Sequence, residues 1–439
     1  MRIATAISII VLLLAASCGK RPVGPSIVLV LIDTLRADHL GCYGYHRDTS
    51  PTIDSLAAEG VLFERCQSQS SWTLPAMVTI LTGLTPRQHG AGARNDRFHG
   101  LSYELAYLPE VLSAQGYATT AFFNVVFMNA DFGLHRGFDH FDCSGLTDFH
   151  SRRTAGQTVD QAISWLADRE PGEPFFLAVH FYDPHINYDP PPPFDTLFTD
   201  PGYEGPYDNS WGHVPQIMGV NSGEDSIPPE GLRNLVNLYD GEIAYTDREL
   251  GRLLAEVRAT GGDSTLVTVI ADHGEEFLDH GGIEHGHTLY QELLHVPLIL
   301  CGPGFRGGQT IHTTVAQLDV LPTVLSALGV EAPSASHGVD LSLLSDSSRI
   351  LPSSGILWGN QKQACVLRGE KKVIWDAAID VSQAFDLSAD AGETDPLPPD
   401  ESLLQAALDY WSTPPLAEPP AVEMDEAIKT QLRDLGYIR

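Results

Sequence analysis

Basic residues are scarce in this 439-residue chain: lysine and arginine number 26 against 57 aspartates and glutamates, giving a formal net charge of −31. With a sequence pI of about 4.7, such a chain repels nucleic acid and anionic lipid surfaces, so neither is a partner through charge. An anionic substrate must then be gathered locally by a metal ion, since no basic patch is available for it. Cysteine is also rare. After Cys18 only Cys42, Cys66, Cys143, Cys301 and Cys365 remain, an odd number without metal-type spacing. That pattern implies no disulfide framework and leaves at least one thiol free. Internal repeats and low-complexity blocks are missing, and beyond Ile3–Ala16 no segment approaches the length and apolarity of a membrane span.

At the start of the chain, Met1-Arg2 precedes the apolar run Ile3–Ala16, which closes in Ala15-Ala16-Ser17-Cys18-Gly19. The run is short for a bilayer and ends in small residues, so it reads as a secretory signal. A cysteine directly after small residues resembles the lipobox of bacterial lipoproteins, although Ala15 stands where leucine is commonest. The expectation is a signal peptide over 1–17 and a linker over 18–25 that begins at a lipidated Cys18. That implies an exported protein, anchored to a bacterial membrane by several acyl chains and facing the periplasm or cell exterior. A plain cleaved signal is the alternative.

Strand and helix signals alternate through the rest. Ser26–Ile32 is a continuous apolar run of the kind buried in a parallel sheet. Further strands are predicted at Tyr117–Phe123, Phe175–Phe181, Thr265–Ala271 and Val296–Cys301. Helices are predicted from Ser50 to a stop at Gly60, and over Pro109–Ala114, Thr158–Ala167, Gly231–Val257 and Asp319–Leu328. The result is an α/β fold whose mainly parallel sheet is sandwiched by helices. Past Gly329 a loop-rich connection leads to strand-like Ala364–Leu367 and Lys372–Trp375, and Ala427–Leu435 reads as a terminal helix. This gives a catalytic domain over 26–330 and a small antiparallel subdomain with tail over 331–439.

In such sheets ligands bind beyond the carboxyl ends of the strands. Asp33 follows the first strand, His180-Phe181-Tyr182-Asp183-Pro184-His185 ends a middle one, and Asp272-His273-Gly274-Glu275-Glu276 ends another. Asp33, Asp272 and His273 suit a divalent metal. Thr73 is a further candidate ligand. The stretch Ser70–Gly83 reads as a helix with Pro75 in its first turn and Gly83 after its last, which puts Thr73 at the positive end of a helix dipole. There it either caps the helix or turns its hydroxyl toward a phosphate or sulfate group.

Val30–Tyr45, with its Asp33-Thr34-Leu35-Arg36-Ala37-Asp38, resembles the opening of sulfatase-family proteins in the alkaline phosphatase superfamily. The resemblance continues in family order through Leu81–Gly90, Asp183-Pro184-His185, Tyr239–Asp247, Ala271–Glu276, Leu289–Ile299, Phe385-Asp386-Leu387, Gly392-Glu393-Thr394 and Leu432–Tyr437. It implies an antiparallel C-terminal part packed on the main sheet and a two-step covalent mechanism, in which a metal-activated nucleophile attacks sulfur or phosphorus in line. Matched residue by residue, Asp33, Asp272 and His273 become metal ligands, Thr73 the nucleophile and a ligand, Asn95 a donor to a non-bridging oxygen, and His185 and His285 groups near the leaving group or oxyanion. Asn187–Ser226 becomes a substrate-selecting region.

The departures from that pattern are chemical. Sulfatases carry a cysteine or serine for oxidation to formylglycine where this chain has Thr73. The expected arginine is Met77, one expected lysine is Asn124, another falls near His285, and Thr34 replaces the second aspartate of the opening pair. With the cations that would grip sulfate missing, the expectation is a phosphate- or phosphonate-ester hydrolase using Thr73. The alternatives are a sulfatase working without formylglycine, and a phosphoryl transferase or silent binding protein. Thr34 and His273 shift the metal preference from calcium toward zinc or manganese. A second ion is left open, with Asp183, His185, His285 and His287 as candidates. The alcohol part of the ester and the oligomeric state are not specified.

Overall fold

The computed structural model describes residues 24–94, 97–145, 152–170, 172–344, 348–355, 357 and 362–423. The signal segment with Cys18, the candidate donor Asn95 and the terminal helix expected over Ala427–Leu435 lie outside the described residues.

Every residue of β1 (Ile27–Ile32) is buried, which requires cover on both faces of the sheet. Along the chain follow β2 (Val61–Gln67), β3 (Ala118–Phe122), β4 (His140–Asp142), β5 (Phe175–Phe181), β6 (Leu266–Ala271), β7 (His295–Cys301), β8 (Gln309–Ile311) and β9 (Val315–Ala316). In space the order is β8-β2-β7-β6-β1-β5-β3-β4, with β9 also on β2. β1 runs parallel to both neighbours, and only β7 is antiparallel to the strands beside it. The apolar β-branched runs thus form the centre of the sheet. Four of these strands carried no readable signal. β2 breaks its apolar run with Glu64 and Arg65, and β4, β8 and β9 are only two or three residues long.

The covering helices form two packed groups. α1 (Pro51–Glu59) and α3 (Ala155–Ala167) lie on the long α4 (Pro229–Gly261), while α2 (Thr73–Thr82) contacts α5 (Val320–Ala327). α2 stops where Gly83 takes a left-handed φ of 66°, a conformation glycine adopts without Cβ strain. A separate four-stranded antiparallel sheet, Leu351–Ser354, Gln363–Arg368, Lys371–Asp376 and Val381–Asp386, is covered by the helix Glu401–Ser412. It is tied to the loop before α2, where Ser354 N donates to Gln69 O at 2.9 Å and Ser353 Oγ to Ser68 O at 2.7 Å. The five cysteines from Cys42 to Cys365 are all unpaired, and among the described residues no helix is long and apolar enough to cross a membrane.

Candidate active site

Strand register builds the centre. Ile32 of β1 lies opposite Ala271 of β6, so the next residues, Asp33 and Asp272, emerge side by side at the carboxyl edge. On the other flank Leu31 pairs with His180 of β5, whose Nε2 lies 3.4 Å from Asp33 Oδ2. All three side chains are fully buried. Asp272 Oδ1 is satisfied by the amides of Thr34 (3.2 Å) and His273 (2.8 Å). Its Oδ2, both oxygens of Asp33 and both nitrogens of His180 have no hydrogen-bond partner.

Leaving one buried polar atom unpaired costs about 1–3 kcal/mol, and all three of these side chains carry such atoms and bring one ligand atom each to a common point, as a cation site requires. Burial pushes the Asp33 carboxyl up, and burial with the Asp33 charge lifts Asp272 to about 7. Burial holds His180 near 4, so its contact with Asp33 is not an ion pair. Two carboxylates and a neutral imidazole, their ligand atoms mutually within 4.8 Å, fit a divalent ion of the zinc or manganese type. His273 joins them. Its Nδ1 donates to the Gly274 carbonyl at 2.9 Å, which turns Nε2 toward Asp272 (3.4 Å) and Asp33 (3.5 Å). Gly274 has no room for a side chain, because a Cβ there would stand 1.9 Å from the Glu292 carbonyl oxygen.

The capping alternative for Thr73 does not hold. Thr73 is already the first residue of α2, the extended Trp72 occupies the cap position, and no side-chain cap bond forms. Its hydroxyl instead lies 3.4 Å from His273 Nε2, at the mouth of the carboxylate cluster.

Beyond it opens a cleft of about 210 Å³ lined by Trp72, Thr73, Phe127, Tyr182, His185, Glu284 and His285, with Asn187, Gly212–Pro215 and Ile217 among the rest of its wall. The region Asn187–Ser226 therefore contributes a wall, and includes the helix Val214–Ser222. His185 Nδ1 donates to Ile186 O at 2.6 Å, leaving Nε2 free, and His285 Nδ1 is engaged by Glu275 Oε1 at 3.0 Å. Desolvation holds His185 near 4 and His285 well below the usual range, so both are neutral at pH 7. Glu284 is buried, lifted by desolvation to about 8, and held at a φ of 74°. A left-handed non-glycine residue costs about 1–3 kcal/mol and points to function when it occurs in a cleft.

His180 and Glu284 were not among the residues read from sequence as site candidates. The signal for His180 was one imidazole inside an otherwise apolar strand run; Glu284 had none, because its backbone is set by the two-residue pairing of Ile283–Glu284 with Glu276–Phe277.

Several family motifs position this centre without touching it. Tyr239 Oη donates to Thr34 O (2.8 Å) and accepts from Arg36 N (2.9 Å), fastening the loop after β1 to α4. The Arg36 guanidinium donates to Glu275 O at 3.0 Å and pairs with Asp38 and Asp279, joining the loops after β1 and β6. Asp240 receives Tyr45 and Arg47 and contacts His39 at 2.7 Å; Asp247 accepts the first amides of α1 at 2.8 Å. Buried Glu393 pairs with Lys372 at 2.7 Å and accepts from Gln291 N at 2.6 Å, tying the C-terminal sheet to the loop before β7.

Other candidates are used elsewhere. Met77 is buried in α2, and the Asn124 amide is spent on Thr158 Oγ1 (2.5 Å) and Arg153, so neither replaces a substrate-binding cation. Asp183 accepts from the first amide of α3 at 2.8 Å, and His287 is bound to Glu276 at 2.7 Å. Among the described residues neither brings a ligand atom into the group formed by His185 and His285.

The sulfatase family model matches residues 25–330. The chain is 23% identical to an arylsulfatase of Clostridium perfringens, over 84% of this chain and 89% of that protein. A protein solved in complex with its substrate D-glucosamine-2-N,6-O-disulfate superposes with a TM-score of 0.72 at 18% identity, covering 94% of this chain and 98% of the other. A phosphonate monoester hydrolase of Silicibacter pomeroyi superposes with a TM-score of 0.68 at 21% identity, covering 88% and 93%. The two structural likenesses speak to the fold. With the family model spanning more than half of its length, the chain belongs to the sulfatase family of the alkaline phosphatase superfamily and is a metal-dependent ester hydrolase.

Proposed function

We propose that this protein hydrolyses a sulfate ester through unmodified Thr73, with a divalent ion, zinc or manganese, held by Asp33, His180, Asp272 and His273. The observation that carries the reading is the Thr73 hydroxyl, free of any capping bond and 3.4 Å from His273 Nε2 at the mouth of the carboxylate cluster. The family match and the arylsulfatase relative support sulfate over phosphate.

In the first step the Thr73 Oγ–sulfur bond forms, the bond from sulfur to the alcohol oxygen breaks, and the alcohol leaves with the electron pair and takes up a proton. In the second step water displaces Thr73 Oγ and sulfate departs. When bound, the ion supplies the positive charge that lowers the hydroxyl's pKa and offsets the charge of the ester. His273, pinned through Nδ1, holds Nε2 within reach of both the carboxylates and the Thr73 hydroxyl, and the first backbone amides of α2 receive the equatorial oxygens. His185 presents an unprotonated nitrogen that can take a proton from the incoming water. Trp72, Phe127 and Tyr182 give the cleft an aromatic wall suited to a ring-bearing alcohol.

A second reading, a phosphate or phosphonate ester, is favoured by two observations: Thr73 cannot become formylglycine, and Met77 and Asn124 supply no cation. One assay grid separates the two: aryl sulfate, phosphate monoester, phosphodiester and phosphonate monoester, each with zinc, manganese, magnesium and calcium. The expected result is the highest kcat/KM on aryl sulfate with zinc or manganese. A phosphodiester or phosphonate rate above it would move the assignment to the second reading.

A further inference from the structure

We propose a second small-molecule site, a cavity of about 250 Å³ between the edge of the main sheet and the C-terminal sheet, that takes an uncharged carboxamide on an apolar body. It shares no lining residue with the cleft and does not rest on the function proposed above.

Strand register makes one wall. Arg65 and Gln67 stand two residues apart on β2, hence on one face, and His295 of β7 lies opposite Gln67 in the antiparallel pairing. All three line the cavity. The polar residues that break the apolar run of β2 thus have a place to face. Across from them Leu367 and Glu370 of the C-terminal sheet, with Leu387 and Ala391 beyond its last strand, close the cavity. Pockets at such junctions between folded parts are common ligand sites.

Hydrogen bonding and charge define the ligand. Gln67 is 1% exposed and its Oε1 accepts from the Gln291 amide at 3.3 Å, but its Nε2 has no hydrogen-bond partner, and neither has Arg65 Nε. Two unmet N–H donors call for an acceptor oxygen. His295 Nε2 donates to Glu64 O at 2.8 Å and burial keeps the ring neutral, so its Nδ1 offers a lone pair to a donor. A carboxamide answers both, with a carbonyl oxygen beside an N–H, and its apolar body packs on Leu367, Leu387 and Ala391. Among the described lining residues the charged ones are Glu64, Arg65 and Glu370, and Arg65 is paired with Glu370. One net negative charge disfavours a carboxylate ligand. The two donors, which an ammonium cannot satisfy, exclude a cation.

Saturation-transfer NMR of the full-length protein with benzamide, benzoate and benzylamine tests this, since the three share a ring and differ in charge. The expected result is saturable benzamide binding with a Kd of about 1 mM, the scale for a ligand of that size, and weaker binding of the other two. Gln67→Leu is expected to weaken benzamide about tenfold. Ala391→Trp, which fills the cavity from an exposed position, is expected to abolish binding. No saturable benzamide binding in the wild type, tighter binding of benzoate or benzylamine, or an unchanged benzamide Kd in either variant overturns the site. Should Gln67→Leu not fold, Ala391→Trp decides alone. A protein that binds benzamide here yet turns over no aryl sulfate leaves the site standing and removes the proposed function; turnover without benzamide binding does the reverse.

Discussion

Thr73→Ala lowers kcat on the preferred ester by at least about three orders of magnitude, on the scale seen when a nucleophile that acts as part of a unit is removed. That corresponds to a barrier about 4 kcal/mol higher. The size follows from the geometry, since the Thr73 hydroxyl, 3.4 Å from His273 Nε2 at the start of α2, is the group that alanine removes. Thr73→Ser keeps the attacking oxygen and retains measurable activity, losing only a methyl. The pair is read as steady-state rates on metal-replete protein, with an acid-quenched mass spectrum to detect sulfo- or phospho-threonine on the peptide carrying residue 73. A rate unchanged in Thr73→Ala, or a covalent adduct on another residue, would remove Thr73 from the nucleophile role.

Asp272→Asn has opposite effects on stability with and without metal. In the metal-loaded state the variant loses the ion, and an ion present at about a thousand times its Kd stabilises the fold by about 4 kcal/mol, so the variant melts well below the wild type. Stripped of metal, the order reverses. Burial and the Asp33 charge lift the folded Asp272 carboxyl to about 7 from an ordinary 3.8. A carboxyl raised in this way contributes its stability below the unfolded pKa, and that contribution is lost as pH rises through the folded one. Asparagine is neutral throughout, and its Oδ1 can still accept from Thr34 N and His273 N. Between about pH 4 and pH 7 stripped wild type therefore falls progressively below stripped Asp272→Asn. Melting curves of both proteins at pH 4.5 and pH 8, with zinc and with chelator, give the comparison. Full metal occupancy in the variant, or a stripped variant melting below stripped wild type at pH 8, would contradict the proposed cation centre.

The parts legible in the sequence were those set by local pattern. Ile27–Ile32, Phe175–Phe181 and Leu266–Ala271 are short apolar runs that can only be buried strands in an alternating chain, and they form the middle of the sheet. A residue directly after such a strand lies on the ligand edge when the strands run parallel, which is why Asp33 and Asp272 stood out before any contact was known. Pro75 and Gly83 likewise bracket the helix that starts at Thr73, because each acts on its own few dihedrals. Electrostatics was readable too. A net charge of −31 leaves an anion-handling enzyme dependent on bound cations.

Pairing over distance was not legible. Thr34 and Asp272 are 238 residues apart, and only the parallel registers of β1 with β6 and β5 set Asp33, Asp272 and His180 around one point. His180 alone reads equally well as a core histidine. Glu284 gains meaning only where a two-residue strand pairing turns its backbone left-handed and buries its carboxylate against two histidines. The sequence by itself thus determined the strands, their ligand-bearing edge and the nucleophile candidate, because periodicity, proline and glycine act over a few residues. The tertiary structure alone decided which donors share an ion, because that depends on strand order and register, set by burial summed over the whole sheet.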